Sequence, residues 1–284
     1  MSFTVNTNSG AMAALQSLAS TNKSLAETQS RINTGYNVAS TKDDSAAFSI
    51  AQTLRGDIGG LKAVSSSLNR AKSVTDVAVA GAEQVSDILI EMKQKAYQAA
   101  DAGIDQASRD AINQDFVALR DRITTVVSSS DFNGTNILKG GGGSVSAIQS
   151  LQDGDSTTTG WQPDSLTVAN QGLDLGGSVV TVAATDQINS QATAQAMVDT
   201  LTTSQSNLKT SLSSLGSASR RIDAQLSFSS KLSDVVESSV GNLVDADLAK
   251  ESAHLQALQV KQQLGIQALQ IANSYTSSLL ALFR

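Results

Sequence analysis

The chain has 284 residues, 40% of them hydrophobic but only 4% aromatic, and a formal net charge of −6. With no cysteine and a single histidine, it has no disulfide, no thiolate chemistry and no multi-histidine metal or relay site. It has no Lys/Arg cluster with interleaved aromatics, so nucleic acid is not an expected partner; no run nears the roughly 18 apolar residues of a membrane span, so no insertion is expected.

Few rings and many Ala, Leu, Val and Ile suit slender, closely packed helices better than a thick core. The one proline, Pro163, lies in the centre, leaving both flanks free of the strongest helix breaker. Met1–Gly10 lacks a basic start and an apolar core, so no cleavable secretory signal is expected. Charge divides the chain in three. Residues 1–140 hold 13 basic and 14 acidic side chains, 201–284 hold 7 and 6, and 141–200 hold 6 aspartates with no base. Neutral flanks can pack against copies of themselves, while an acidic centre favours solubility on an outward segment.

In chain order, the spacing predicts a first helix from about Val5 to Asn33, with Ala11, Leu18, Leu25 and Ile32 seven apart and Leu15 beside them. Asn33–Ser40 breaks the period with Gly35 and two asparagines, which is loop chemistry. Thr41 and Asp44 are spaced as a capping box, with Ser40 the rival cap, so a second helix is expected from about Lys42 to Ala102. Leu54, Ile58, Leu61 and Leu68 run on into Ala78, Ala82, Val85, Leu89, Met92, Ala96 and Ala99 in steps of four and three. Such a rod would be about 85–90 Å long, and Gly56, Gly59 and Gly60 weaken its first third. Gly103 ends it, and Asp105 or Ser108 can cap a third helix carrying Ile112, Phe116, Leu119, Ile123 and Val126.

Asp131–Gly134 reads as a turn, Ile137 and Leu138 open a short strand, and Gly140–Gly143 is a flexible run. Two further short strands are expected at Ser165–Ala169 and Ser178–Ala183. The helical pattern returns from about Ser190 to Val240, where Leu201, Leu208, Leu215, Ile222, Val236 and Leu243 form a seven-step series broken by Ser229. Leu212, Leu226 and Val240 fill its companion row. Gly241 and Asn242 break the phase, Asp245 or Asp247 can cap, and a last helix reaches about Leu282 through Leu248, Leu255, Leu258, Leu269, Ile271 and Leu279. Gly265 and Ala272, seven apart, allow close approach of another backbone.

The fold expected is mainly α: a long antiparallel helical bundle or coiled coil with a small β-rich central insertion. The seam at 42–240 reads mostly as intramolecular core, whereas the terminal stripes are too narrow to be buried by the helices that own them. Assembly is therefore expected, not catalysis. His254 reads as structural or solvated, and Asp245, Asp247 and Glu251 as helix-start acids, not a cation site. Glycines 140–143 lack the Lys-Ser/Thr of a phosphate loop, and one histidine supports no Ser-His-acid group. No catalytic, cofactor or metal residue is expected. Trp161 and Pro163 read as packing or bending the central loop; Asn133–Thr135 fits a glycan sequon but reads as turn, and residues 156–159 are open to Ser/Thr modification.

Several segments also resemble bacterial flagellins. These are Val5-Asn-Thr-Asn-Ser9, Arg31-Ile-Asn-Thr-Gly35, Ala39-Ser-Thr-Lys-Asp-Asp-Ser-Ala46, Asp131-Phe-Asn-Gly-Thr-Asn-Ile-Leu138 and Ala268–Arg284, which together place the resemblance over roughly 1–140 and 190–284. The resemblance implies a structural subunit that self-assembles into the hollow helical flagellar filament for swimming. Residues 1–41 and 245–284 would supply the inner tube and its connecting loop, 42–139 and 190–244 the surrounding bundle, and 140–189 a small outward β-rich segment. It also implies secretion to an extracellular flagellum through the flagellar export apparatus. Partners would be further copies, other flagellins, an export chaperone, the filament cap and hook-junction proteins. Flagellins detected by the vertebrate innate receptor carry Arg and, four residues on, Leu on the first long helix. A gapless carry-over puts Glu91 and Lys95 there, with Asp115 at a third, acidic position, so weak recognition is expected. Two rivals stand beside this reading. A hook–filament junction protein shares flagellin-like ends; a chemoreceptor-type hairpin would instead have an uninterrupted helical tip and membrane spans.

Overall fold

The computed structural model describes residues 7–153 and 160–282, and the side chains of all of these except 153 and 275–282. Among them are five helices and a two-stranded antiparallel sheet: α1 (Ser9–Thr34), α2 (Ser45–Ala99), α3 (Gln106–Ser129), β1 (Val145–Asp153), β2 (Pro163–Val168), α4 (Gln191–Val244) and α5 (Leu248–Leu282). None of the described helices is long and apolar enough to cross a membrane. The chain is mainly α with a small β insertion, as its periodicity predicts.

Two compact units form. One holds the described residues up to Gly56 with those from Val235 onward, the other Asp57–Asp234. In the second, α2, α3 and α4 close on a single core. Leu68, Val85, Leu89, Met92 and Ala96 meet Phe116 and Ile123 of α3 and Leu201, Leu208, Leu215 and Ile222 of α4, all almost fully buried. Ser229, the gap in the α4 series, is also buried, its hydroxyl 3.4 Å from that of Ser65.

Local chemistry sets the helix ends. Asn8 caps α1 by accepting from Ala11 N–H at 3.0 Å, so the helix starts at Ser9, later than the Val5 expected. Gly35, at φ +73°, ends it in the left-handed conformation glycine adopts freely. The capping box at Thr41 is not used. Asp44 caps α2 itself, accepting from Ala46 and Ala47 N–H at 2.9 and 3.0 Å, and α2 starts at Ser45, not Lys42. Its neighbour Asp43 takes Ser40 N–H and hydroxyl and Ala39 N–H. Those bonds, Ser40's first, hold its carboxyl below the usual range. Asp105 caps α3 through Ser108 N–H at 2.9 Å, and Asp247 caps α5 through Ala249 and Lys250 N–H. Gly241 and Asn242 do not interrupt α4, which runs on to Val244.

The central segment differs most from expectation. Asp131–Gly134 is a tight turn, with Asn133 and Gly134 both at positive φ and Phe132 bridged to Thr135. Ile137 and Leu138 are fully buried but form no strand; Asn136 Oδ1 accepts the N–H groups of Leu138 and Lys139. Ser178–Ala183 forms none either. Val180 and Val182 fill the core, while Thr181 N–H donates to Ser204 Oγ on α4 at 3.0 Å. Helix side chains there take the place of a partner strand. The partner of β2 is instead β1, in a segment where no strand is expected from the sequence. Val145, Ala147, Leu166 and Val168 turn inward while Ser146 and Thr167 pair hydroxyls outside at 2.8 Å. β1 lies against the bundle: Ile148 N–H donates to Ser67 Oγ at 3.1 Å, and Gln225 Nε2 to Gln149 O at 2.6 Å. Trp161 is exposed, Pro163 opens β2, and the 156–159 run lies outside the described residues.

Candidate assembly interface

The terminal helices α1 and α5 pair antiparallel. Along the pair, Asn8 Nδ2 donates to Ala272 O at 2.8 Å, Gln262 Nε2 to Asn22 Oδ1 at 2.7 Å, and Thr28 Oγ1 lies 3.4 Å from His254 Nδ1. Arg31 Nη1 lies 3.5 Å from Glu251 Oε1. At the connecting end Gly35 O accepts Ala246 N–H, and Val244 O accepts Asn37 and Val38 N–H, so the 35–38 loop is strapped to the α4–α5 junction.

The seam runs in steps of four and three. On α1 it includes Leu18, Leu25 and Ile32, all half-buried, and alternates with a row that periodicity in apolar residues misses: Thr21 and Thr28, 5% and 2% exposed. Thr21 turns its hydroxyl onto Ser17 O at 2.9 Å, which lets a polar residue sit in an apolar seam. On α5, Leu258 is buried and Leu255 and Leu269 are half-buried. Gly265 sits where a Cβ would come within 3.3 Å of Leu18 Cδ1, giving that glycine a packing reason. Leu15 and Leu248 lie off this seam, 59% and 50% exposed, and the side chain of Leu279 is outside the described residues.

What the pair does not cover is as informative. On α5, Val260, Leu264 and Ile271 form a second stripe, 56%, 58% and 71% exposed, and α1 shows Met12 beside Leu15. A helix apolar on opposite faces needs a partner on each.

Among the bundle-seam residues, Leu61, Leu68, Val85, Leu89, Phe116, Ile123, Leu201, Leu208, Leu215 and Ile222 are buried. Leu54, Ile112, Leu119, Leu226 and Val236 are half-buried. Glu91 is exposed, whereas Lys95 and Asp115 are joined, Nζ to Oδ2 at 2.6 Å. Across α2 and α4, Lys72 Nζ reaches Asp223 at 2.9 Å, and that hydrogen bond raises the ammonium above its usual 10.5.

Comparisons with known proteins agree along the whole chain. The bacterial flagellin N-terminal helical region matches residues 5–142 and the bacterial flagellin C-terminal helical region matches 195–283. Flagellin FljM of Caulobacter vibrioides is 44% identical over 280 residues, covering 99% of this chain and 98% of that protein. Flagellin FljK of the same organism is 41% identical over the same shares, and a flagellin of Brucella melitensis is 35% identical over 98% of each. With both helical regions matched and relatives aligned end to end, the chain belongs to the bacterial flagellin family.

Proposed function

We propose that this protein is a structural subunit that self-assembles into the hollow helical filament of the bacterial flagellum, with α1 and α5 as the helices that other copies enclose. The carrying observation is the uncovered apolar stripe Val260, Leu264 and Ile271 on the far side of the α1–α5 seam. Residues 1–41 and 245–284 serve the inner tube, 42–139 and 190–244 the surrounding bundle, and 140–189 the outer surface. The chain works outside the cell, having left through the flagellar export apparatus with a chaperone. It meets the cap, the hook-junction proteins and other flagellins as well as itself. The junction-protein alternative has no observation in its favour, since relatives matched over nearly their full length are named flagellins.

Folding of the ends is coupled to assembly. Ordering a residue costs roughly 1–2 kcal/mol of backbone entropy, and one narrow seam returns little of that at about 25 cal/mol per Å² buried. Adding filament seeds to purified protein and imaging by negative stain tests the function: growth supports it, and a chain that stays monomeric under all conditions removes it. The innate receptor should respond weakly, because Glu91 replaces a basic contact and Lys95 is engaged with Asp115. Full-strength activation in a cell reporter assay would contradict that.

A further inference from the structure

A repeating seam does not by itself give two helices a unique alignment. α1 offers Ala14, Leu18, Thr21, Leu25, Thr28 and Ile32 in steps of four and three, and α5 offers Leu255, Leu258, Gln262, Gly265, Leu269 and Ala272 in the same rhythm. Sliding one past the other by seven residues keeps such a seam closed. Near the connecting loop the positions cease to be interchangeable. Glu251 has a side chain only 13% exposed, with Oε1 facing Arg31 at 3.5 Å. Its Oε2 has no hydrogen-bond donor among the described residues; His254 Nδ1 stands 3.9 Å away, beside the buried Thr28. A slip of seven would set Arg31 against Leu258 or Val244, and Glu251 against Val38 or Ser24. Either alignment strands a largely dehydrated carboxylate without its guanidinium, and stranded buried charge is costly where exposed pairs are not.

We infer that Arg31 and Glu251 are a register pin: they select one among the heptad-related alignments of α1 and α5. They are positioning residues, acting through the alignment and not by touching a neighbour. The pin fixes the height at which Met12 and Leu15 on one helix stand against Val260, Leu264 and Ile271 on the other. Its consequence rests on the filament reading, because only neighbouring copies would sense those stripes out of step.

The absence of native cysteine makes the alignment readable by engineered disulfides. Asn22→Cys with Gln262→Cys reports the observed register, since those side chains are hydrogen-bonded. Gln29→Cys with Gln262→Cys reports the register slipped by seven. Both pairs are oxidised in the full chain, free and in seed-grown material, and scored by gel mobility. In the parent the first pair should dominate by about tenfold or more, and in Arg31→Leu/Glu251→Leu that preference should fall by about tenfold. Exchanging the charges, Arg31→Glu with Glu251→Arg, should restore it, while thermal melting of the α2–α3–α4 core confirms that each variant folds. An unchanged ratio in the leucine variant overturns the pin, as does a charge exchange that fails to restore it. So does the lack of either cross-link in both free and seeded parent. Filament growth is scored separately by electron microscopy. A pinned register without filaments leaves the pin standing and removes the filament reading; filaments with an unchanged ratio do the reverse.

Discussion

Single residues show where the chain tolerates change and where it does not, and glycine is the clearest case. Gly81 lies in the middle of α2, and a Cβ there would collide with Ser130 Oγ and come within 2.8 Å of Leu138 Cδ1. Gly81→Ala should therefore cost about 1–3 kcal/mol by overpacking, despite alanine's better helix propensity. Gly56 and Gly59, on the same helix, have open space around the position a Cβ would take, with nothing within 4 Å. Alanine at either should stabilise by about 0.5–1 kcal/mol, read in both cases as a shift in thermal midpoint. Helix propensity alone does not separate these glycines; the packed neighbours tell them apart. Charge at a cap behaves in a similarly local way. Ser108's hydroxyl and N–H hold the Asp105 carboxyl below its usual 3.8. A depressed folded value means the contribution is present above the unfolded pKa and is lost as pH falls through the folded one. Asp105→Asn keeps a capping oxygen, so its thermal midpoint should drop less on acidification than the parent's. For Lys72 the sign reverses: its raised value lets the bond to Asp223 contribute below 10.5 and fade as pH rises through the folded value.

At the scale of elements, the long helices were legible because their apolar residues recur over many turns. Leu208, fully buried on α4, belongs to that series. Leu208→Ala should lower the stability of the α2–α3–α4 core by about 2–5 kcal/mol in denaturant unfolding. The helix ends were less legible. Asp43 and Asp44 sit side by side with Thr41 near, and which oxygen caps depends on the turn that Ser40 and Asp43 form. The central segment was least legible, because part of its backbone bonds to side chains on distant helices. Thr181 bonds Ser204, and Ile148 bonds Ser67, partners 23 and 81 residues away that no local pattern announces. In the α1–α5 seam, Leu18, Leu25 and Leu258 could be read off directly. Thr21, Thr28 and the Arg31–Glu251 contact could not, because a hydroxyl or a charge at a seam position looks like a break until the facing helix is known.

For the whole molecule, burial and function pull apart. The core of the α2–α3–α4 unit is closed within one chain, whereas the terminal pair leaves an apolar stripe in water that no part of the chain covers among the described residues. That asymmetry separates two kinds of substitution. Leu258, 6% exposed, serves the pair itself, so Leu258→Asp would break the α1–α5 seam along with any contact to a neighbour. Leu264, 58% exposed, offers a cleaner probe, because an aspartate there meets only water in the isolated chain. Seeded growth of Leu264→Asp against the parent, followed by electron microscopy with thermal melting as the control for folding, therefore tests the account most directly. The parent should extend the seeds while Leu264→Asp, melting at the same temperature, should not. Elongation of Leu264→Asp at the parental rate would show that no sister chain covers this stripe.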